Sequence, residues 1–240
     1  AELDRVNREL FEESMEIIKE AWYNERFSFT GKHFVLPPPG IPDRGSTVQD
    51  LTLIPKPIAP IDIWQAVTSP ATLDYTARVR HLAVMPARGP QQTKEWWDLY
   101  GQRAAESGWE IKQGEARCLA LNAHVAHTTE AAMSGARNAH DEWIKFLSPY
   151  GRFRSYAMPD GSETPFDHKP SLEDSMDQQI MAIGSVEQVA DTMGRYHDEV
   201  GVEHFVLFFD MPGLTREAMN EQLEMMAREV LPRIGVNLNS

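Results

Sequence analysis

Apolar residues recur at helical spacing along the first two dozen positions. Leu3, Val6, Leu10, Ile17 and Ala21 share one stripe, Met15, Ile18 and Trp22 widen it, and the intervening residues are mostly charged. This pattern predicts an amphipathic helix to about Trp22. Phe27-Ser-Phe-Thr-Gly-Lys-His-Phe34 alternates around a glycine and reads as a hairpin. Residues 37–60 then carry Pro37, Pro38, Pro39, Pro42, Pro55, Pro57 and Pro60 with no period. Those prolines exclude the stretch from the middle of a sheet and make residues 23–60 a surface excursion on one larger domain.

From Ile61 the pattern changes to short apolar runs separated by helical segments. Strands are predicted at Ile61–Gln65, Leu82–Met85, Arg117–Val125 and His204–Phe209. Helices are predicted from Pro70 to about Arg80, over 91–107 and 129–147, from Ser185 to about Gly201, and over 216–231 with Pro232 closing the last. Ser69-Pro70 supplies an N-cap and a first-turn proline, and Ser185 with Gln188 forms a capping box. Residues 148–171 are polar, unpatterned and too long for a plain connector, and so lid-like. Strict alternation of strand and helix implies an α/β fold with a parallel sheet and right-handed crossovers. The length of 240 residues would accommodate a (β/α)8 barrel, but four strands are half of one.

Charge and cysteine content narrow the function classes. Against 36 acidic residues stand 23 basic ones, a net charge of −13. That balance argues against a nucleic-acid or anionic-membrane partner. Cys118 is alone, which excludes an internal disulfide framework and fits a cytoplasmic location. No apolar run approaches a membrane span. The chain begins at Ala1 inside a helical pattern, so a preceding segment is expected.

In parallel α/β folds, ligands bind beyond the carboxyl ends of strands. The segment Gln65-Ala-Val-Thr-Ser-Pro-Ala-Thr72 leaves a strand and enters a helix with hydroxyls at Ser69 and Thr72. Such a turn offers amides, hydroxyls and a helix dipole to a phosphate monoester. The same residues also describe an ordinary N-cap with no ligand. A Gly-rich nucleotide fingerprint is absent.

Several segments together resemble the bacterial luciferase-like flavin monooxygenases. They are Glu16-Ile-Ile-Lys-Glu-Ala-Trp22, Phe27 to Phe34, Ile54-Pro-Lys-Pro57 and Trp64 to Thr72. Gly184-Ser-Val-Glu-Gln-Val-Ala190, Gly201-Val-Glu-His-Phe-Val206 and Glu229-Val-Leu-Pro232 complete the set. The resemblance implies a (β/α)8 TIM-barrel type, with this chain matching strands five to eight. It implies FMN or reduced FMN as cofactor, with coenzyme F420 as the alternative in a sister branch. Thr68, Ser69 and Thr72 would contact the flavin phosphate, and Gln65 would lie under the flavin edge. Tyr150, Arg152 and Arg154 would belong to a lid. The partners implied are a small-molecule substrate, O2 and a flavin reductase; a non-catalytic flavin-binding subunit is the rival from another class. The family's amino-terminal half is expected to lie outside this chain. Taken alone the chain is then expected to turn over little, and to form a homodimer or self-paired half barrel.

Other residues carry plainer expectations. His124 and His127 point to opposite faces rather than to one metal. His140-Asp141-Glu142 reads as a solvated helix face, and Trp96, Trp97 and Met85 read as packing. Met219, Leu223, Met226 and Val230 read as a core stripe. Asp210 stands just past the last strand and suits either a site or the turn into Pro212-Gly213.

Overall fold

The structure is a computed structural model, described here for residues 2–209 and 212–236. Asp210 lies outside the described residues. The chain divides into two units, the first ending at Asp62 and the second beginning at Ile63.

The first unit is built on α1 (Glu2–Tyr23). Its apolar stripe is only half-buried: Leu3 is 71% exposed and no residue of the helix is fully buried. Polar contacts fasten the following hairpin, β1 (Phe29–Thr30) and β2 (Val35–Leu36), to the helix. The Glu13 carboxylate accepts the backbone N–H groups of Lys32, His33 and Phe34, at 2.6, 2.9 and 3.1 Å. The proline-rich excursion contains one more antiparallel pair, β3 (Pro42–Asp43) with β4 (Ser46–Thr47), both exposed.

The second unit alternates strand and helix: β5 (Trp64–Ala66), α2 (Pro70–Arg78), β6 (Leu82–Pro86), α3 (Pro90–Glu106), β7 (Arg117–Ala126) and α4 (Thr129–Leu147). After a long segment come α5 (Leu172–Asp177), β8 (Met181–Ser185), α6 (Val186–Arg195), β9 (Phe205–Phe208) and α7 (Arg216–Met225). Hydroxyl N-caps start most of these helices: Ser69, Thr128, Ser171, Ser185 and Thr215 each accept a first-turn backbone N–H. The Ser185–Gln188 capping box forms as its spacing predicts.

All five strands of this sheet run parallel, giving a half-barrel sheet with flanking helices. The fifth, β8, and the short α5 before it are additions to the four predicted strands. Met181, Ala182, Ile183 and Gly184 are all buried, so β8 has no polar face and no alternation to read. The first strand is also later than predicted, starting at Trp64 rather than Ile61. The last helix does not stop at Pro232. It widens into a π-helical turn over Met226–Val230, then tightens over Leu231–Ile234 with Pro232 inside. This shift moves the buried positions to Gln222, Met225, Met226 and Val230, and leaves Leu223 49% exposed.

The long strand β7 organises the sheet. Successive residues of a strand aim their backbone groups at opposite edges. Even-numbered carbonyls Ala116 and Ala120 accept from Ala83 and Ala87 on the β6 side, while the Leu119 N–H reaches the His204 carbonyl on the β9 side. Val125 lies beyond the end of β9 on that second edge. There the Gln222 side chain of α7 stands in for a strand, accepting the Val125 N–H and donating to its carbonyl, both at 2.7 Å. One face of the sheet is packed by helices: Ala83, Met85, Leu119 and Leu121 meet Leu73, Trp97, Tyr100 and Met193. On the other face Trp64, Val206 and Phe208 are 43%, 41% and 50% exposed.

Arg117 enters the packed face at the start of β7 and is 2% exposed. Its guanidinium donates to the carbonyls of Trp97 at 2.7 Å, Glu115 at 3.0 Å and Lys112. Burial pushes its pKa down, and no carboxylate pairs with it among the described residues.

Candidate functional site

The turn from β5 into α2 has the form the sequence suggests. Ser69 is the N-cap in extended conformation, and its Oγ accepts the Thr72 N–H at 3.2 Å. The two hydroxyls, Ser69 Oγ and Thr72 Oγ1, lie 2.9 Å apart. One hydroxyl hydrogen serves their mutual bond, so the other remains free to donate outward. The first turn of α2 contains no acidic side chain, leaving the positive end of its dipole uncompensated. Thr68 is exposed beside it. Gln65 faces away from this corner: in register with Ala83 and Arg117, it shares their helix-packed side of the sheet, opposite Trp64 and Ala66.

A cavity of about 500 Å³ opens beside Thr68, beyond the carboxyl ends of β5 and β6. Arg152 and Arg154 line it, as does Arg88, two residues past the end of β6. Tyr150 does not; it is 65% exposed on a single tight turn, its ring 6.3 Å from that of Phe146. Arg88 is held from three sides. Its backbone N–H donates to Thr93 Oγ1 at 3.1 Å, its Nη2 donates to the Thr68 carbonyl at 3.3 Å, and its guanidinium carbon lies 4.1 Å from the Trp96 ring centre. Trp96 therefore carries a cation as well as packing. The readable signal for Arg88 was its place just past a strand end, in Arg88-Gly89-Pro90 before a helix.

The segment carrying Arg152 and Arg154 is pinned beneath its polar surface. Phe153 and Tyr156, each 2% exposed, pack with Ile144 and Ile180. The Gln92 side chain donates to the Ser155 carbonyl at 2.8 Å, and Gln178 bonds both the N–H and the carbonyl of Ala157. Tyr156 Oη meets Ser175 Oγ at 2.8 Å, and burial pushes its phenol up to about 12. Ser175 in turn lies 2.9 Å from His140 Nε2, with Asp141 3.0 Å from Nδ1. His140 is thus buried, not part of a solvated face, although Asp141 and Glu142 are exposed. The order Ser–His–Asp is that of a hydrolytic triad, but Ser175 is completely buried, so no substrate carbonyl reaches its oxygen. The cluster anchors the segment.

His124, near the end of β7, is 4% exposed with Nδ1 unpartnered. α4 closes on this ring because position 135 is glycine: a Cβ there would lie 2.6 Å from Nε2. Burial lowers the His124 pKa. Below the ordinary value of about 6.5 the unfolded chain binds a proton that the folded ring resists, so stability falls with acidity in that window. Urea unfolding at pH 5, 6 and 7 should show stability rising with pH, and His124→Gln should flatten the slope. An unchanged slope in the variant would contradict this assignment. Among the described residues no group of three or more His, Cys, Asp or Glu side chains is arranged to hold a metal, and no helix is long and apolar enough to cross a membrane.

A model of the luciferase-like monooxygenase family matches residues 5–204. The chain belongs to that family. Among the relatives of this chain is the 4-hydroxyprotoasukamycin monooxygenase of Streptomyces nodosus subsp. asukaensis, 27% identical over 143 residues. That match covers 60% of this chain and 37% of the relative. Similar solved structures include a monooxygenase from Streptomyces bottropensis, with TM-score 0.69 and 16% identity. Another is the oxygenating constituent of 3,6-diketocamphane monooxygenase from Pseudomonas putida, in complex with FMN, with TM-score 0.68 and 19% identity. The chain is covered to 92% in both, and spans 60% and 62% of theirs. An F420-dependent secondary alcohol dehydrogenase has the same fold at TM-score 0.57 and 13% identity. At these identities the structures establish the fold, a luciferase-like TIM-barrel architecture of which this chain carries a half-barrel sheet.

Proposed function

We propose that this chain is part of a flavin-dependent monooxygenase that uses reduced FMN and O2 to oxidise a small organic molecule. The observation that carries the reading is the β5–α2 corner. A free hydroxyl hydrogen, a helix N-terminus without acids and an exposed Thr68 meet at the carboxyl end of a parallel strand, a donor set suited to a phosphate monoester. The FMN complex of the Pseudomonas putida relative supports the same coenzyme. Bound reduced flavin supplies electrons for oxygen activation. The chain's own part is to hold the coenzyme tail at Thr68, Ser69 and Thr72. The segment bearing Arg152 and Arg154 screens the neighbouring cavity from water, which matters wherever a reactive species must be protected.

F420 is the second reading, favoured by the fold shared with the F420-dependent alcohol dehydrogenase. Parallel titrations with FMN, riboflavin and F420 test both. The expectation is FMN binding about a hundredfold tighter than riboflavin, since charge-assisted bonds to the phosphate are lost in riboflavin. Equal affinity for FMN and riboflavin would remove the phosphate corner from the argument, and preference for F420 would replace the coenzyme.

A further inference from the structure

We propose that the cavity walled by Arg88, Arg152 and Arg154 seats the anionic end of the substrate, an oxyanion such as a carboxylate on an apolar body. This seat is separate from that of the coenzyme phosphate, and the word substrate rests on the reading above. The chain as a whole has 36 acidic residues against 23 basic ones, yet this cavity is lined by three arginines and no acid. Arg88 is half-buried and fixed by the Thr68 carbonyl and the Trp96 ring, with no carboxylate partner among the described residues. A guanidinium carries five donors in a rigid fork, and only one of them is engaged here. Arg152 is exposed and has no ion-pair partner among the described residues; Arg154 reaches Glu163 at 2.9 Å through one Nη. Carboxylates match such forks with paired hydrogen bonds.

Beside the arginines, Thr68, Ser155 and Tyr156, much of the lining is apolar. Trp143, Leu147, Phe153 and Ile180 line the cavity, with Pro86 and Ala87 at the strand end. A volume of about 500 Å³ falls within the usual range for small-molecule sites. The two anion seats adjoin without merging: Thr68 borders both, but neither Ser69 nor Thr72 lines the cavity. Arg88 lines the cavity and is bonded to the Thr68 carbonyl at 3.3 Å.

Calorimetric titration with 4-phenylbutyrate and its neutral amide, with FMN measured in parallel, tests the proposal. The acid should bind about tenfold or more tighter than the amide. Arg152→Met should weaken the acid by about tenfold, while amide and FMN affinities stay within about twofold. Arg88→Met, whose guanidinium bonds the Thr68 carbonyl, should weaken the acid by about tenfold and FMN by clearly less. Arg152 is exposed, so its variant remains informative if Arg88→Met folds poorly. Equal binding of acid and amide, no binding of the acid, or loss of FMN affinity in step with the acid would each overturn the separate seat. If the wild-type chain discriminates acid from amide but binds neither FMN nor F420, the cavity assignment stands and the flavin reading falls.

Discussion

Arg117→Met should lower the unfolding free energy by about 3–5 kcal/mol, making it the most damaging single change described here. The side chain is buried, and its guanidinium donates hydrogen bonds to the carbonyls of Trp97, Glu115 and Lys112. Three hydrogen bonds from a charged donor, at about 1.5–3 kcal/mol each, would exceed that figure. The lower value allows for water reaching the half-buried carbonyls of Glu115 and Lys112 once the guanidinium is gone. Methionine retains the apolar stem between the Trp97 and Tyr100 rings, so the loss reports the polar contacts and not a cavity. For a chain of this size the thermal midpoint should drop by about 10 °C. Denaturant unfolding should show a lower midpoint with unchanged slope. A loss below about 1 kcal/mol would mean that the carbonyls find other donors.

The second large effect is on binding and leaves stability almost untouched. Ser69→Asp keeps an N-cap of equal quality, because aspartate accepts the Thr72 N–H as serine does. It also places a negative charge where the coenzyme phosphate would sit. Two like charges about 4 Å apart repel by roughly 1–4 kcal/mol, depending on how much water remains between them. FMN affinity should therefore fall by about a hundredfold, while riboflavin affinity and melting temperature stay near wild type. Ser69→Ala cannot make this separation, since it removes cap and contact together. If Ser69→Asp binds FMN normally, the hydroxyl is an ordinary helix cap and the phosphate lies elsewhere.

What could be read from the chain before any coordinates was the information that acts locally. Ser69 and Ser185 announce their helices because a cap and its first turn are adjacent in sequence. The strands after Arg117 and His204 are legible as apolar runs bounded by helical segments. β8 is not, because its residues are buried on all sides and its partner on β7 lies some sixty positions away. Phe153 and Tyr156 were hidden for a related reason: two aromatics in a polar stretch have no period, and their role depends on Ile144 and Ile180. The β5–α2 corner is contiguous, so Thr68, Ser69 and Thr72 could be named as candidates, while the direction of Gln65 could not be read. The arginine cavity could not, since Thr68, Arg88, Trp143 and Arg152 are brought together only by the fold.

Gln222 gives the carboxyl-terminal helix a direct place in the backbone ladder. If α7 lifts away, both polar groups of Val125 lose their partner, on a strand that also bonds β6, β8 and β9. Helix docking and sheet integrity are thus one cooperative event, and the last helix cannot be trimmed as though it were an ornament on a finished core.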